Sequence, residues 1–381
     1  MKKVLYVITS PSHKRCFESF AEHEGLEQMI IGPPPEANKM VPEDYSGFKI
    51  KNIKYIGNRS IIDYVKEFNP DVYVQPDLSP IHNTVYNHFK KAYKRVYVSH
   101  GMIGNHVKDL MKVENFNTSV WHGMDLYCGA TNVFAEWIKD VAKVKDDKIL
   151  LNALPQLDIL HNSEYYNSYR DQVIKKTKHP FVQKVILFMG FCCKDRQDFK
   201  AHNADYFRTA IELGKIAKQN NWLVMIKPRQ IHREMIEFLQ THAWGIKFIN
   251  DYNALHSNTN VHFIGPAATH IYRYYFADAF VFNGCSTAEI EACAIQKPLF
   301  VVRTDQKCLQ SGYDPYDPYD TVSYGAAVPI SDITKLEYSL IEYFNYGKFH
   351  YPEKQKELIN KMNISFDGLM YKRIQNKLLE L

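Results

Sequence analysis

The sequence lacks the short motifs from which an enzyme class can often be identified directly. It contains no Cys-x-x-Cys pair, no His-x-x-x-His pair, no Asp-x-Asp loop and no Walker loop, so we expect no bound metal and no P-loop nucleotide site. The first apolar run leads into Thr9-Ser-Pro-Ser-His13 and not into a Gly-rich dinucleotide fingerprint. We therefore expect no cofactor, which argues against an NAD-dependent dehydrogenase.

Long apolar runs are also missing. No stretch approaches the ~18 consecutive apolar residues that a membrane-spanning helix requires, and the short N-terminal run is typical of a first β-strand and not of a signal peptide. The seven cysteines form no paired framework, which is typical of reduced thiols in a cytosolic protein. We expect a cytoplasmic protein whose membrane contact is at most peripheral, at the inner face of the membrane.

Charge of one sign does not dominate the chain. There are 47 Lys and Arg residues against 42 Asp and Glu residues, which gives a net charge of +5 with both signs mixed throughout. This balance favours anionic ligands or an anionic membrane surface, and it argues against a dedicated nucleic-acid-binding protein. With 381 residues, 45% of them hydrophobic, the chain can form two cores of ordinary domain size.

Short apolar runs alternate with helical patterns along most of the chain. Such runs predict parallel sheets covered on both faces, and the pattern starts again near Lys184 after the polar stretch 161–179. We therefore predict an α/β protein with two Rossmann-like, doubly wound domains at 1–165 and 180–340, followed by C-terminal helices at 341–381. The predicted strands are 4–9, 72–75, 96–99, 148–151, 184–189, 223–227, 261–264, 280–282 and 299–302, and the predicted helices include 61–68, 206–219 and 234–240.

The most informative stretch of the chain is 279–302. An apolar run ends at Asn283-Gly284, Ser286 and Thr287 open a helix, and a second apolar run follows Lys297-Pro298. A tight turn into a helix N-terminus, with hydroxyl groups beside the exposed N–H groups, is typical of a site for a nucleotide phosphate. The alternative is an ordinary strand–helix–strand turn with Ser and Thr as helix caps.

Histidines follow predicted strands at two further places. His100-Gly101 comes directly after the strand at 96–99, where a parallel sheet faces its ligand crevice, and an imidazole there could act as a general base. His270 follows Gly265-Pro266 and could approach a ligand or begin a helix. Each histidine could equally have a structural role.

Cationic residues follow two strands of the second half. Lys194 lies in the loop after the strand at 184–189, and Arg229 and His232 lie directly after the strand at 223–227. Several hydrogen-bond donors at strand ends favour recognition of a phosphate or diphosphate. The alternative for each loop is a solvated surface.

Taken in order, these segments resemble the CDP-glycerol glycerophosphotransferases, the family of teichoic-acid and capsule-polymer enzymes with GT-B architecture. Lys194 stands where the family usually has Arg, and Asn283 or Gly284 stands where it usually has Asp. The stretch 284–292 is equally similar to the donor-binding turn of GT-B glycosyltransferases that use UDP- or GDP-sugars. The segments that carry the resemblance are His100-Gly101, Ala153–Asp158, Gly190–Asp195, Lys227–Arg229 with His232, and Asn283–Thr287.

The resemblance implies a GT-B fold whose two Rossmann-like domains face a cleft that holds the active site. The N-terminal domain would bind the acceptor, and the second domain would bind a CDP-, CMP-, UDP- or GDP-linked donor. The acceptor would be a glycan or a polyol-phosphate chain, free or lipid-linked. His100 and His232 are the expected catalytic residues, and the other expected substrate-binding residues are Gly101, Lys194, Arg229, His270, Asn283, Gly284, Ser286, Thr287 and Glu291, the last of these at the ribose.

Three alternatives remain open at this stage. His13 or Asp77, each after a predicted strand of the first half, could be the base in place of His100. The chain could be a UDP-sugar 2-epimerase, which shares the architecture, or a non-catalytic member of the fold. Donor turnover separates the functions, because an epimerase produces an isomer without acceptor, a transferase requires acceptor, and a scaffold does neither.

Overall fold

The computed structural model describes most of the chain in two compact units. Unit 1 comprises Met1–Asn162 together with Met362–Leu381, and unit 2 comprises Ser163–Lys361. The domain boundaries predicted from the sequence, at 165, 180 and 340, stay a prediction. The described residues are 1–34, 45, 47–57, 59–77, 79–89, 92–99, 122–177, 181–190, 199–227, 237, 239–264, 271–283, 287–303 and 320–381, with the backbone alone at 11–12, 141–142, 199–205 and 287.

The strands form two sheets, and every strand pairing in them is parallel. The order is β3-β2-β1-β4-β5-β6-β7 in unit 1 and β10-β9-β8-β11-β12-β13 in unit 2. The strands are β1 (Lys2–Val7), β2 (Leu26–Gly32), β3 (Ile53–Tyr55), β4 (Val72–Gln75), β5 (Lys94–Val98), β6 (Leu126–Cys128), β7 (Ile149–Leu150), β8 (Val185–Gly190), β9 (Leu223–Lys227), β10 (Val261–Phe263), β11 (Ala279–Asn283), β12 (Leu299–Val302) and β13 (Val328–Ile330).

Helices connect these parallel strands. The α-helices are α1 (Ile61–Phe68), α2 (Pro80–His88), α3 (Asn132–Ala142), α4 (Gln156–His161), α5 (Ser163–Asn167), α6 (Arg170–Lys176), α7 (Phe199–Asn220), α8 (Ala243–Ala254), α9 (Thr287–Ala294), α10 (Lys335–Tyr346), α11 (Pro352–Lys361) and α12 (Met370–Glu380). Short 3-10 helices lie at Pro11–Cys16, Asp146–Lys148, Leu255–Ser257 and Ile271–Tyr274. No helix of the described residues is long and apolar enough to cross a membrane.

Both faces of the first sheet are covered, which explains its continuous apolar strands. Val4 and Tyr6 of β1 pack into one buried cluster, and Leu5 and Val7 pack into another on the opposite face. Side chains alternate between the faces of a strand, so a strand covered on both sides must be apolar at every position. The predicted class, two parallel-sheet α/β domains, is therefore confirmed.

The last helix of the chain belongs to unit 1. Asp158 on α4 accepts hydrogen bonds from the backbone N–H groups of Met370 (2.9 Å) and Tyr371 (2.7 Å), which lie in the first turn of α12. Ile374 and Leu378 of the same helix pack into the buried cluster that covers one face of the sheet. A carboxylate at a helix N-terminus satisfies N–H groups that have no partner within the helix.

Unit 2 repeats this architecture with a different core. Its strands pack against a cluster that includes Tyr206 and Leu213 of α7 and Leu336 of α10. Gly190, at the end of β8, lies so close to Tyr206 that an added Cβ would come within 2.0 Å of the tyrosine ring. Only glycine therefore fits at this strand end while Tyr206 keeps its place.

Candidate functional site

The carboxyl edge of the first sheet has a switch point between β1 and β4. These strands are neighbours, but β2 lies beyond β1 on one side and β5 lies beyond β4 on the other, so the connections leave in opposite directions. Open parallel sheets bind ligands at such points. Thr9 follows β1, His13 lies in the 3-10 helix Pro11–Cys16, and Asp77 follows β4.

Asp77 is the centre of a hydrogen-bonded cluster at this edge. The Thr9 hydroxyl donates to Asp77 Oδ2 at 2.5 Å, and His13 Nδ1 lies 3.2 Å from the same oxygen and 3.0 Å from Thr9 Oγ1. The backbone N–H of Ser79 donates to Oδ1 at 2.9 Å. The Asp77 backbone carbonyl in turn accepts from the Gln75 side chain at 2.7 Å, which fixes the turn after β4.

A second imidazole contacts the other side of Asp77. His82, in the first turn of α2, places Nε2 2.8 Å from Asp77 Oδ1 and Nδ1 2.7 Å from the hydroxyl of Tyr73 on β4. His82 and Tyr73 are fully buried, whereas 17% of the Asp77 side chain is exposed. The cluster, which we call the Asp77 cluster, consists of Thr9, His13, Tyr73, Asp77 and His82.

The surroundings keep Asp77 ionised. Burial of the carboxyl group opposes ionisation, but the ring of His82, whose Nε2 lies 2.8 Å from Oδ1, acts in the other direction. The Thr9 hydroxyl and the Ser79 N–H add to the effect of His82, and together they hold the pKa of Asp77 below its ordinary value. At neutral pH the cluster therefore contains a carboxylate flanked by the rings of two histidines.

This arrangement suits His13 to proton transfer. Asp77 Oδ2 accepts from Thr9, so the Thr9 oxygen and Asp77 both present lone pairs to His13 Nδ1. The tautomer that satisfies them carries its proton on Nδ1, and the neutral ring then has its lone pair on Nε2. A carboxylate that fixes the tautomer and stabilises the protonated ring is the partner that a histidine base requires.

The second sheet has an equivalent switch point between β8 and β11. Asn283, the last residue of β11, pairs in register with Gly190 of β8 and is buried. Helix α9 begins four residues later, at Thr287, as the sequence pattern predicted. The role of Asn283 and Thr287 in binding a nucleotide phosphate stays a prediction.

Two buried glutamates lie on α9. Glu291 is fully buried, and its two carboxylate oxygens accept from the hydroxyls of Tyr272 (3.1 Å) and Tyr275 (2.6 Å). Glu289 is also buried and accepts from the Thr321 hydroxyl at 2.6 Å. The tyrosine bonds give Glu291 a clear role in packing this helix, and its predicted contact with ribose is untested.

An ion pair stands beyond β12 in the same unit. Arg303 directly follows β12 and donates to the two carboxylate oxygens of Asp320 from its two terminal guanidinium nitrogens, at 3.1 and 2.7 Å. Asp320 is buried and also accepts from the backbone N–H of Ser323 at 2.7 Å. A bidentate pair of this kind fixes two segments of the chain to each other.

Most of the other predicted site residues lie outside the described part of the chain. The structure therefore tests neither the histidine base at position 100 nor the cationic loops of the second half. It brings together the two alternative bases, His13 and Asp77. The residues outside the description are His100, Gly101, Lys194, Arg229, His232, His270, Gly284 and Ser286.

Sequence reasoning missed part of the Asp77 cluster. His82 follows Asp77 by five residues and lies on α2. The neighbouring residues in the sequence are mostly polar, so they do not indicate that His82 is buried. The signal that could have found it is the spacing from Asp77, because Ser79-Pro80 begins a helix and places His82 in its first turn. Across the described ranges, no group of three His, Cys, Asp or Glu residues is arranged to hold a metal ion.

Comparison with known proteins identifies the fold. No model of a protein family and no curated protein matches the chain. Among solved structures, the wall teichoic acid polymerase TagF matches with a TM-score of 0.69 and 14% identity, over 100% of this chain and 88% of TagF. A second TagF structure, soaked with CDPG, matches with a TM-score of 0.67 and 15% identity over the same shares of the two chains.

Two further matches are structures with bound nucleotides. The UDP-GlcNAc 2-epimerase from Neisseria meningitidis, bound to UDP-GlcNAc, matches with a TM-score of 0.59 and 15% identity, over 100% of both chains. MnaA from S. aureus, in complex with UDP, matches with a TM-score of 0.57 and 12% identity, over 99% of this chain and 96% of MnaA. The chain therefore has the GT-B fold of these proteins.

Proposed function

We propose that this protein is a GT-B transferase that moves a sugar or a polyol-phosphate group from a nucleotide-activated donor to a hydroxyl of a glycan or polyol-phosphate acceptor. The observation that carries the proposal is the Asp77 cluster, an acid–base group at the switch point of a Rossmann-like sheet. The fold supports it, because its neighbours include a polymerase soaked with CDPG and proteins with bound UDP-GlcNAc or UDP.

The chemistry requires one proton acceptor. His13, held by Asp77, takes the proton from the acceptor hydroxyl as its oxygen attacks the donor. With a CDP-glycerol-like donor, the new bond joins that oxygen to the phosphorus that carries glycerol, and CMP leaves with the electron pair of the broken P–O bond. With a nucleotide sugar, the new bond forms at the anomeric carbon and the nucleoside diphosphate leaves. His100 is the second candidate for this base.

Unit 2 is proposed to bind the donor. The turn from Asn283 to Thr287 and the N-terminus of α9 would hold the phosphates. Lys194, Arg229 and His232 would neutralise the charge that develops on the leaving nucleotide, and no metal would then be needed. Gly101 and His270 complete the proposed substrate contacts.

Turnover with and without acceptor tests the proposal. The purified chain is incubated with CDP-glycerol, and separately with UDP-GlcNAc, in the presence or absence of a polyol-phosphate oligomer, and released nucleotide is quantified. The proposal predicts that acceptor accelerates nucleotide release from one donor. A reaction that is indifferent to acceptor, or no reaction with any pair, would contradict it.

A 2-epimerase is the second candidate. It is favoured by the match to the Neisseria meningitidis epimerase, which covers both chains completely, whereas TagF extends beyond this chain. The pairing of a carboxylate with imidazoles in the Asp77 cluster also provides groups that can move a proton on a sugar ring. In the same assay, an epimerase would convert UDP-GlcNAc to an isomer without acceptor and without loss of UDP.

A further inference from the structure

His82 is a buried titratable group that the proposed reaction does not use. Its side chain has no exposed surface, and each ring nitrogen faces one partner, Tyr73 on one side and Asp77 on the other. Burying an imidazole is costly, and the polar groups that offset this cost are the hydroxyl at Nδ1 and the carboxylate close to Nε2. The chain Tyr73–His82–Asp77–His13 therefore links a fully buried phenol to the proposed base.

The carboxylate of Asp77 fixes a proton on one nitrogen of His82. Burial raises the pKa of Tyr73 far above its ordinary value, so the phenol keeps its proton, and either the hydroxyl or the ring can donate in its 2.7 Å contact with His82 Nδ1. Nε2 lies 2.8 Å from Asp77 Oδ1, and an ionised carboxylate at this distance requires a proton on Nε2. This Nε2–H does not meet hydrogen-bond geometry with Oδ1, so it acts on Asp77 as a close electrostatic contact.

The charge of Asp77 is consequently divided among several donors. Oδ1 accepts from the Ser79 N–H and lies 2.8 Å from His82 Nε2, and Oδ2 accepts from the Thr9 hydroxyl and lies 3.2 Å from His13 Nδ1. A buried carboxylate that faced His13 alone would favour the protonated ring, which cannot accept a proton. A carboxylate whose charge is shared still orients His13 but stabilises the imidazolium less.

We propose that the buried His82–Tyr73 pair positions Asp77 and shares its charge, so that Asp77 holds the base His13 in the required tautomer without trapping it in the protonated form. This inference rests on the proposed role of His13. His82 and Tyr73 act through Asp77 and are positioning residues. Without these two side chains, more of the negative charge of Asp77 acts on His13 and favours its protonated form.

Within the described ranges, a thiol and a phenol beside Asp77 stay neutral at neutral pH. Cys16 and Tyr97 both interact with the Asp77 charge, and burial raises the pKa of both, so they stay neutral. Arg15 lies close enough to act on the Cys16 thiol, and Arg95 acts on Tyr73. Arg95 is itself held by Gln75 and Asn83, so its charge is fixed in place and common to all variants.

Histidine-ring ¹⁵N NMR of the full chain measures this effect without any substrate. His13 is assigned from the signal lost in His13→Ala, and its titration is followed in Tyr73→Phe, which removes only the hydroxyl that contacts His82. The matched control is Tyr93→Phe, because Tyr93 stacks on Tyr73 at 5.3 Å and is also buried. We expect Tyr73→Phe to raise the His13 pKa and Tyr93→Phe to leave it unchanged.

Substitution of His82 extends the series. His82→Leu removes the ring nitrogen that lies against Asp77 and should raise the His13 pKa by about one unit. His82→Gln keeps an N–H group at the same reach, so the His13 pKa in this variant should stay close to that of the wild type. The acidic limb of the kcat/KM profile should move to higher pH by the same amount as the NMR titration.

Two results would overturn the inference and leave the proposed function in place. One is an unchanged His13 titration in Tyr73→Phe, which can be measured even if His82→Leu does not fold. The other is an equal shift in Tyr73→Phe and Tyr93→Phe. Normal turnover of His13→Ala would instead refute the role of His13 as base, and the NMR titrations would still report whether His82 and Tyr73 act on it.

Discussion

At the scale of single residues, the Asp77 cluster shows how much a sequence can indicate about a site. His13 and Asp77 were predicted only as alternatives to His100, because each follows an apolar run and the sheet was expected to be parallel. That inference needs no side-chain geometry, since the ends of parallel strands share one edge. His82 and Tyr73 could not be assigned in this way, because burial and hydrogen bonding between a helix and a strand leave no local pattern.

The proposed base is tested by comparing two histidines. We expect His13→Ala to lower turnover at saturating acceptor by about 10²–10⁴-fold, the usual contribution of a general base, while nucleotide binding stays normal. The matched control is His88→Ala, which removes an exposed histidine from the helix that carries His82. If His100→Ala shows the large loss and His13→Ala keeps wild-type turnover, the base is His100 and the Asp77 cluster is structural.

Glu291 allows a second test at this scale. Its two oxygens accept from buried tyrosine hydroxyls, so Glu291→Gln places an amide N–H₂ group against one hydroxyl and should lower the free energy of unfolding by about 1–3 kcal/mol. Urea denaturation measures this loss, and titration with nucleotide measures affinity. Full stability with weakened nucleotide affinity would support the predicted ribose contact and contradict a role limited to packing.

At the scale of elements, strands with compact apolar runs were predicted closely. The predicted segments at 72–75, 223–227, 299–302 and 61–68 have the same bounds as β4, β9, β12 and α1. Three other short strands, β3, β6 and β13, were not predicted, and in β3 the run Ile53–Tyr55 has a lysine in the middle and carries no periodic signal. Their pairing is decided by the longer strands beside them.

The attachment of α12 gives a prediction about pH. Burial raises the pKa of Asp158 from its ordinary 3.8 to about 6, in spite of the two backbone hydrogen bonds that the carboxylate accepts. The folded state therefore binds this proton more tightly, so the contribution of Asp158 to stability is fully present below pH 3.8 and is lost as the pH rises through about 6. The loss amounts to about 3 kcal/mol.

Urea unfolding of the wild type and Asp158→Asn from pH 4 to 7 measures this contribution. The stability of the wild type relative to the variant should fall across the range. Asp63→Asn is the contrasting control, because hydrogen bonds from Ser60 lower the pKa of Asp63. The difference in free energy of unfolding between the wild type and Asp63→Asn should be constant above pH 4 and should disappear only in more acidic solution. A difference between the wild type and Asp158→Asn that does not change with pH would refute the account of Asp158.

At the scale of the whole molecule, the fold class was predictable and the chemistry was less so. Repeated apolar strands and their restart near Lys184 indicated two Rossmann-like units, and both sheets have the expected parallel order. The proposed donor contacts lie in loops such as the one with Lys194, whose sequence departs from the family it resembles. A GT-B fold hosts many reactions, so the fold alone does not choose among them.

Metal dependence is one property of the proposed transferase that the sequence does address. The chain has no Asp-x-Asp loop, and the proposed charges on the leaving nucleotide are met by cationic side chains and a helix N-terminus. We therefore expect most of the activity to remain in excess EDTA. Loss of activity that magnesium or manganese restores would contradict this mechanism.

The central claim is that unit 2 binds a nucleotide of an activated donor, and a thermal-shift panel of CMP, CDP, UDP and GDP tests it most directly. At 100 times its Kd, the correct nucleotide should stabilise the folded chain by about 2.7 kcal/mol. The shift should be the same in His13→Ala, because that residue belongs to unit 1. The absence of any shift with all four nucleotides at millimolar concentration would contradict the claim.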